Sequence, residues 1–239
     1  MRVKQVSNAL LNLGIKPQEK IAVFSQNCIQ YLYTDFGAYG IRVVSIPFYA
    51  TSSESQIQYM INDAEVKYLF VGEQDQYDKA HRIFPLCPSL ERIIIFDESV
   101  RVSSHDPNAI YFEDFLRLGE GLPRQTEVEK RWAEANEDDV CNILYTSGTT
   151  GASKGVILNY RQYNAAIIAN GKCVGVSDKD RAINFLPFTH VFERGWSYLC
   201  LSVGAQLIIN TYPKEIQDSM RETHPTCMSS VPRFWEKVY

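Results

Sequence analysis

The chain reads as an α/β protein, with mostly parallel sheets flanked by helices, on three observations. Short β-branched apolar runs alternate with stretches of helical periodicity through most of its 239 residues. Those runs are nearly continuous in apolar residues, as strands buried on both faces require. Turn-forming residues separate them at intervals that leave room for a helix between strands.

Taken in order, the strands fall at 20–24, 42–48, 66–71, 92–96, 140–145, 155–158, 181–188 and 205–210. Helices are expected near 29–40, 53–64, 75–84, 160–172, 192–203 and 213–222, because apolar residues recur there at helical spacing. In the second of these, Ile57, Met60, Ile61 and Ala64 repeat at i, i+3, i+4 and i+7. The chain opens with a further amphipathic candidate, Val3, Val6, Ala9, Leu10 and Leu13, closed by Gly14. The stretch 119–139 is charged and poor in branched apolar residues. It divides the chain into a first α/β subdomain at 1–118, a solvated connection with some helix at 119–139, and a second α/β subdomain at 140–239. Both ends read as cut from a longer polypeptide.

Composition narrows the function. A net charge of −4 supplies no broad cationic field for nucleic acid, so any anion must be bound locally. The six cysteines stand apart without a C-x-x-C pair, which argues against a zinc site and for reduced thiols in a cytoplasmic protein. No apolar run is long enough to span a bilayer.

The informative stretch is "YTSGTTGASKG" at 145–155, which follows the apolar run "VCNILY". Glycines let backbone N–H groups approach a ligand closely, and successive N–H groups in a turn form an anion-binding concavity. Thr146, Ser147, Thr149 and Thr150 add hydroxyls, and Lys154 adds a full positive charge. This donor set suits a polyphosphate. Gly148 and Lys154 keep the six-residue separation of the usual phosphate loop, but "VIL" after Gly155 signals a strand where that loop opens a helix. The expectation is therefore a strand-loop-strand phosphate binder. An ordinary flexible hairpin turn is the plainer alternative.

"YTSGTTGASKGVIL" resembles the signature loop of the adenylate-forming (AMP-binding) superfamily, [ST]-[ST]-G-[ST]-T-G-x-P-K-G. It departs at one specified position, Ser153 standing where proline is usual. "FLPFTHVFERGWSY" at 185–198 is similar to a segment of the long-chain fatty-acid–CoA ligase branch. Residues 11–27, 40–72 and "SSVPRFWEKVY" at 229–239 are also like that branch.

The resemblance implies the N-terminal part of the large domain of such an enzyme. It implies the substrates fatty acid, ATP and coenzyme A, with Mg2+ as cofactor, and an acyl-adenylate as intermediate. Thr146, Ser147, Gly148, Thr149, Thr150, Gly151 and Lys154 would cradle the phosphates, with Thr146 as the protein ligand to the metal. His190 and Val191 would line the junction of acyl pocket, adenylate and pantetheine channel, making Lys154 and His190 the catalytic candidates. A structural histidine remains the alternative for His190. His81, His105 and His224 lie outside any motif and read as structural, and Glu193 with Arg194 as a local ion pair.

The family's metal-binding glutamate, its ribose-binding aspartate and its lid-domain lysine lie on segments with no counterpart in this chain. The expectation is thus a portion inactive by itself. Two alternatives stand beside it: a non-catalytic nucleotide- or phosphate-binding module, or a ligase for another carboxylic acid. The resemblance also implies peripheral membrane contact, although no basic amphipathic segment supports it.

Overall fold

In the computed structural model the described residues are 1–104, 106–120, 125–146 and 153–236. The chain forms two compact units, Met1–Ser25 with Ile29–Tyr160, and Gln26–Cys28 with Arg161–Tyr239.

The first unit is built on seven strands: β1 (Lys20–Phe24), β2 (Val44–Phe48), β3 (Val66–Val71), β4 (Arg92–Ile95), β5 (Ala109–Tyr111), β6 (Val140–Thr146) and β7 (Lys154–Asn159). Their order across the sheet is β5-β4-β3-β1-β2-β6-β7. All neighbours run parallel except β6 and β7, which form an antiparallel hairpin. Its helices are α1 (Arg2–Asn12), α2 (Ile29–Tyr39), α3 (Glu54–Ala64), α4 (Gln74–Ile83), α5 (Phe112–Arg117) and α6 (Gln125–Ala133).

Strand alternation explains why the central strands are apolar throughout. Ala22 and Phe24 join a core with Ile57, Met60 and Ile61 of α3 and Tyr77 of α4. Ile21 and Val23 are equally buried and point to the opposite face. Ser53 starts α3 with a reciprocal cap, its Oγ accepting from the Gln56 N–H while Gln56 Oε1 accepts from the Ser53 N–H.

The second unit holds a three-stranded parallel sheet in the order β10-β8-β9, from β8 (Arg181–Asn184), β9 (Gln206–Ile209) and β10 (Cys227–Met228). Helices α7 (Tyr160–Val174), α8 (Val191–Ser202), α9 (Ile216–Thr223) and α10 (Pro232–Trp235) complete it. Of these, α8 and α9 are the crossovers between successive parallel strands.

The compact units divide at Tyr160, so the hairpin expected to open a second half belongs to the first sheet. The reason is pairing. Ser45 of β2 lies in register with Asn142 of β6. The fully buried Asn142 amide donates from Nδ2 to Ser45 O at 2.6 Å and accepts at Oδ1 from the Tyr39 hydroxyl at 2.9 Å. The charged connection also docks. Arg131 of α6 is buried and donates to Ile41 O at 3.1 Å and Ile15 O at 2.7 Å, and Asp139 pairs with Arg42 at 2.8 Å. Replacing Asn142 by Ala leaves the Tyr39 hydroxyl without this acceptor. Urea unfolding should then show the variant less stable by about 1–3 kcal/mol.

Candidate functional site

β6 runs from the sheet's interior to its rim. Cys141, Asn142, Leu144 and Tyr145 are buried, while Thr146 at its end is exposed. β7 returns antiparallel, and its first residue, Lys154, lies in register with Thr146. A hydroxyl and an ammonium group therefore stand side by side at the neck of the glycine-threonine turn, both facing solvent. Ser147, Gly148, Thr149, Thr150 and Gly151 lie outside the described residues.

The neck is shaped by its second pair, Tyr145 with Gly155. The Tyr145 hydroxyl donates to Asp63 at 2.6 Å, and burial followed by that carboxylate raises the phenol well above its ordinary value. A Cβ on Gly155 would stand 2.7 Å from Ile143 Cγ2 and 3.4 Å from Tyr145 Cζ. Gly155 is thus the residue that lets the strands close at this point.

The second unit carries His190, the exposed N-cap of α8, whose side chain makes no capping hydrogen bond. Val191 follows it, also exposed. Among the sequence-predicted residues, Thr146 and Lys154 are brought together in one unit, and His190 and Val191 in the other. His81 accepts or donates at Nδ1 with Asp106 at 2.8 Å and stacks on Tyr77. His224 closes α9 in a left-handed conformation, and His105 lies outside the described residues.

Glu193 and Arg194 are fully buried, each with partners of its own. The Glu193 carboxyl accepts from Asn184 Nδ2 and from the Ser229 hydroxyl, both at 2.5 Å. Arg194 donates from Nε to Phe188 O at 2.9 Å and from Nη1 to the Tyr198 hydroxyl at 2.8 Å. Asn27 completes the network, donating to Asn184 Oδ1 and Leu186 O at 2.8 Å each, and accepting from the Phe188 N–H at 2.9 Å. Sequence reasoning missed Asn27, Asn184 and Ser229. The available signal was a polar residue at the carboxyl end of an apolar parallel strand, where open α/β sheets place their sites.

Among the described residues, no three or more His, Cys, Asp or Glu side chains are grouped to hold a metal ion. No described helix is long and apolar enough to cross a membrane.

A mostly parallel sheet with helices in its crossovers defines an α/β class of protein. The AMP-binding enzyme model matches residues 1–239, so the chain belongs to that family. It is 27% identical over 248 residues to fatty acyl-CoA synthetase A of Dictyostelium discoideum, covering 100% of this chain and 36% of that protein. Long chain acyl-CoA synthetase 5 of Arabidopsis thaliana is 26% identical over 252 residues, 99% of this chain and 36% of its own. The chain thus spans about a third of the length of the curated relatives it matches. In fold it is similar to the anthranilate CoA ligase AuaEII in complex with anthranoyl-AMP, with a TM-score of 0.81 at 21% identity, over 95% of this chain and 42% of that one.

Gly155→Ala tests the neck directly. The stiff Ile143 side chain must give way, and overpacking of this kind costs about 1–3 kcal/mol. The expected result is a lower melting temperature, measured by circular dichroism. An unchanged melting temperature would show that the close contact at Gly155 carries no weight.

Proposed function

We propose that this chain is a portion of a long-chain fatty-acid–CoA ligase, which joins a fatty acid to coenzyme A through an acyl-adenylate at the expense of ATP. The observation that carries the reading is the cross-strand pair Thr146–Lys154 at the neck of a turn rich in glycine and hydroxyl residues.

Adenylation brings two anions together. A carboxylate oxygen attacks the α-phosphorus of ATP, the bond to the pyrophosphate oxygen breaks, and pyrophosphate leaves. The thiol sulfur of coenzyme A then attacks the acyl carbonyl, its proton is lost, and AMP departs. Catalysis of the first step is chiefly positioning and charge neutralisation. Lys154 fits that task, since its ammonium stands at the mouth of the turn where the β- and γ-phosphates would lie. The Thr146 hydroxyl and the Ser147–Gly151 backbone would donate beside it. His190 and Val191, exposed together at the start of α8, would face the acyl and pantetheine groups.

Magnesium is a different matter. Thr146 offers one hydroxyl, and the described residues provide no acidic cluster around it. No step is assigned to the metal on this chain. We further propose that the chain alone does not complete a turnover, and that the ligase is cytoplasmic with peripheral membrane contact, since its acyl substrate partitions into lipid. The long-chain branch is favoured over ligases of other acids by the "HVFER" stretch at 190–194.

Calorimetric titration with ATP tests the phosphate assignment. The chain should bind ATP, and Lys154→Ala should weaken binding about fivefold, the loss of about 1 kcal/mol from one exposed charge contact. Binding undiminished in the variant would reject the phosphate role of Lys154. Fatty-acid-dependent ATP–pyrophosphate exchange by the 239 residues alone would contradict the proposed inactivity.

A further inference from the structure

The turn between β8 and α8, residues 185–190, holds no regular structure of its own, yet nearly every backbone group in its centre is accounted for. The Leu186 N–H donates to Glu193, and Leu186 O accepts from Asn27. Pro187 has no N–H, and its carbonyl accepts from the His190 N–H at 3.0 Å. The Phe188 N–H donates to Asn27, and Phe188 O accepts from Arg194. Glu193 stands at the third position of α8, where a glutamate ordinarily folds back to cap its own helix. Here the carboxyl turns inward to Asn184 at the end of β8 and Ser229 just after β10. One buried group thereby ties together two strand ends, the turn and the helix start.

We propose that Glu193 is a positioning residue: its carboxyl pins the 185–190 strap to the ends of β8 and β10, and so fixes the His190 that closes the strap. Its bearing on acyl transfer rests on the reading of His190 given above, whereas the pinning itself does not.

The chemistry makes the pin sensitive to pH. Burial pushes the Glu193 carboxyl up from 4.5 to about 7, against the pull of Ser229, Asn184 and the Leu186 N–H. Other titratable or charged groups on the elements around it are few. Residues 182–189 hold none, Arg181 begins β8, residues 26–28 hold Cys28, and residues 226–232 hold Cys227. The helix itself carries Arg194, Tyr198 and Cys200, with His190 at its start. Burial raises the Cys227 thiol and pushes the Cys200 thiol up to about 12, so both stay neutral through the relevant range. A carboxyl that binds its proton more tightly when buried favours the closed strap at low pH. That contribution is complete below about pH 4.5 and is lost as pH rises through about 7.

Amide hydrogen exchange of the 239-residue chain tests this at Leu186, Phe188 and His190. Between pH 5 and 8, after correction for intrinsic exchange, protection at these amides should fall by about ten- to a hundredfold. Glu193→Gln, permanently neutral and of the same shape, should stay protected and lose that pH dependence. Glu193→Leu should exchange at least about tenfold faster at every pH. Ser229→Ala, which removes a donor that favours the anion, should shift the midpoint upward. His190→Asn should leave the pH dependence in place. Retention of the dependence in Glu193→Gln, or its loss in His190→Asn, would overturn the proposal. Equal exchange in Glu193→Leu and the parent chain would do so too. ATP titration of Lys154→Ala reports on the ligase reading separately, so that reading can fail while the pin stands.

Discussion

The pairing of Thr146 with Lys154 is the constraint on which the candidate phosphate site depends. The neck sets where the donors of the segment it carries would begin. The neck is held by a chain of contacts reaching into the sheet: Tyr145 on Asp63, Asn142 on Ser45 and Tyr39, and β2 beside β1. Magnitudes show why the turn must act with the lysine. An exposed ammonium about 4 Å from a phosphate gains about 1 kcal/mol in bulk water and about 4 kcal/mol near a protein surface. With Lys154 exposed, the lower figure is the closer guide. Useful affinity would therefore have to be collected from several backbone N–H groups and hydroxyls converging on the same oxygens, an approach that glycine permits.

Periodicity made the eight longest strands and most helices legible, because strands buried on both faces and helices with one apolar face leave different spacings in the chain. The candidate phosphate loop stands out in the sequence for a different reason, its unusual density of glycine, hydroxyl and lysine. Sheet membership was not. Nothing local in "VCNILY" says that Asn142 will meet Ser45, 97 residues away, and so the hairpin was expected in the second half. Most described residues of the 119–139 stretch are exposed, as its charge suggests, but Arg131 is buried. Arg131 reads as a solvated side chain, but its guanidinium serves carbonyls left open at Ile15 and Ile41. β5 spans only three residues, too few for alternation to register.

Glu193 and Arg194 show how much lies beyond what adjacency in sequence suggests. Successive residues of a helix project about 100° apart, so neighbours in sequence do not face each other. Each charge has partners in its own direction: Glu193 toward two strand ends, Arg194 toward Phe188 O and the Tyr198 ring, whose centroid lies 5.8 Å away. Burying such groups is expensive unless their hydrogen bonds are made. Asn27, 157 residues from Asn184, is the member that no local reading of the sequence brings in.

Apolar burial seats the strap, where Phe185 and Phe188 are buried, but not the first turn of α8. Val191 is 55% exposed and Phe192 56% exposed on the first turn of α8, so the helix start is not seated by its own apolar residues. Polar pins hold it. Hydrogen bonds fix direction and spacing more narrowly than apolar contact, which tolerates sliding. A turn held this way keeps its end residue at a set place while its apolar neighbours stay available to an apolar ligand. The burial that makes Glu193 a firm pin also raises its affinity for a proton, so the precision of the corner and its sensitivity to pH have one physical origin.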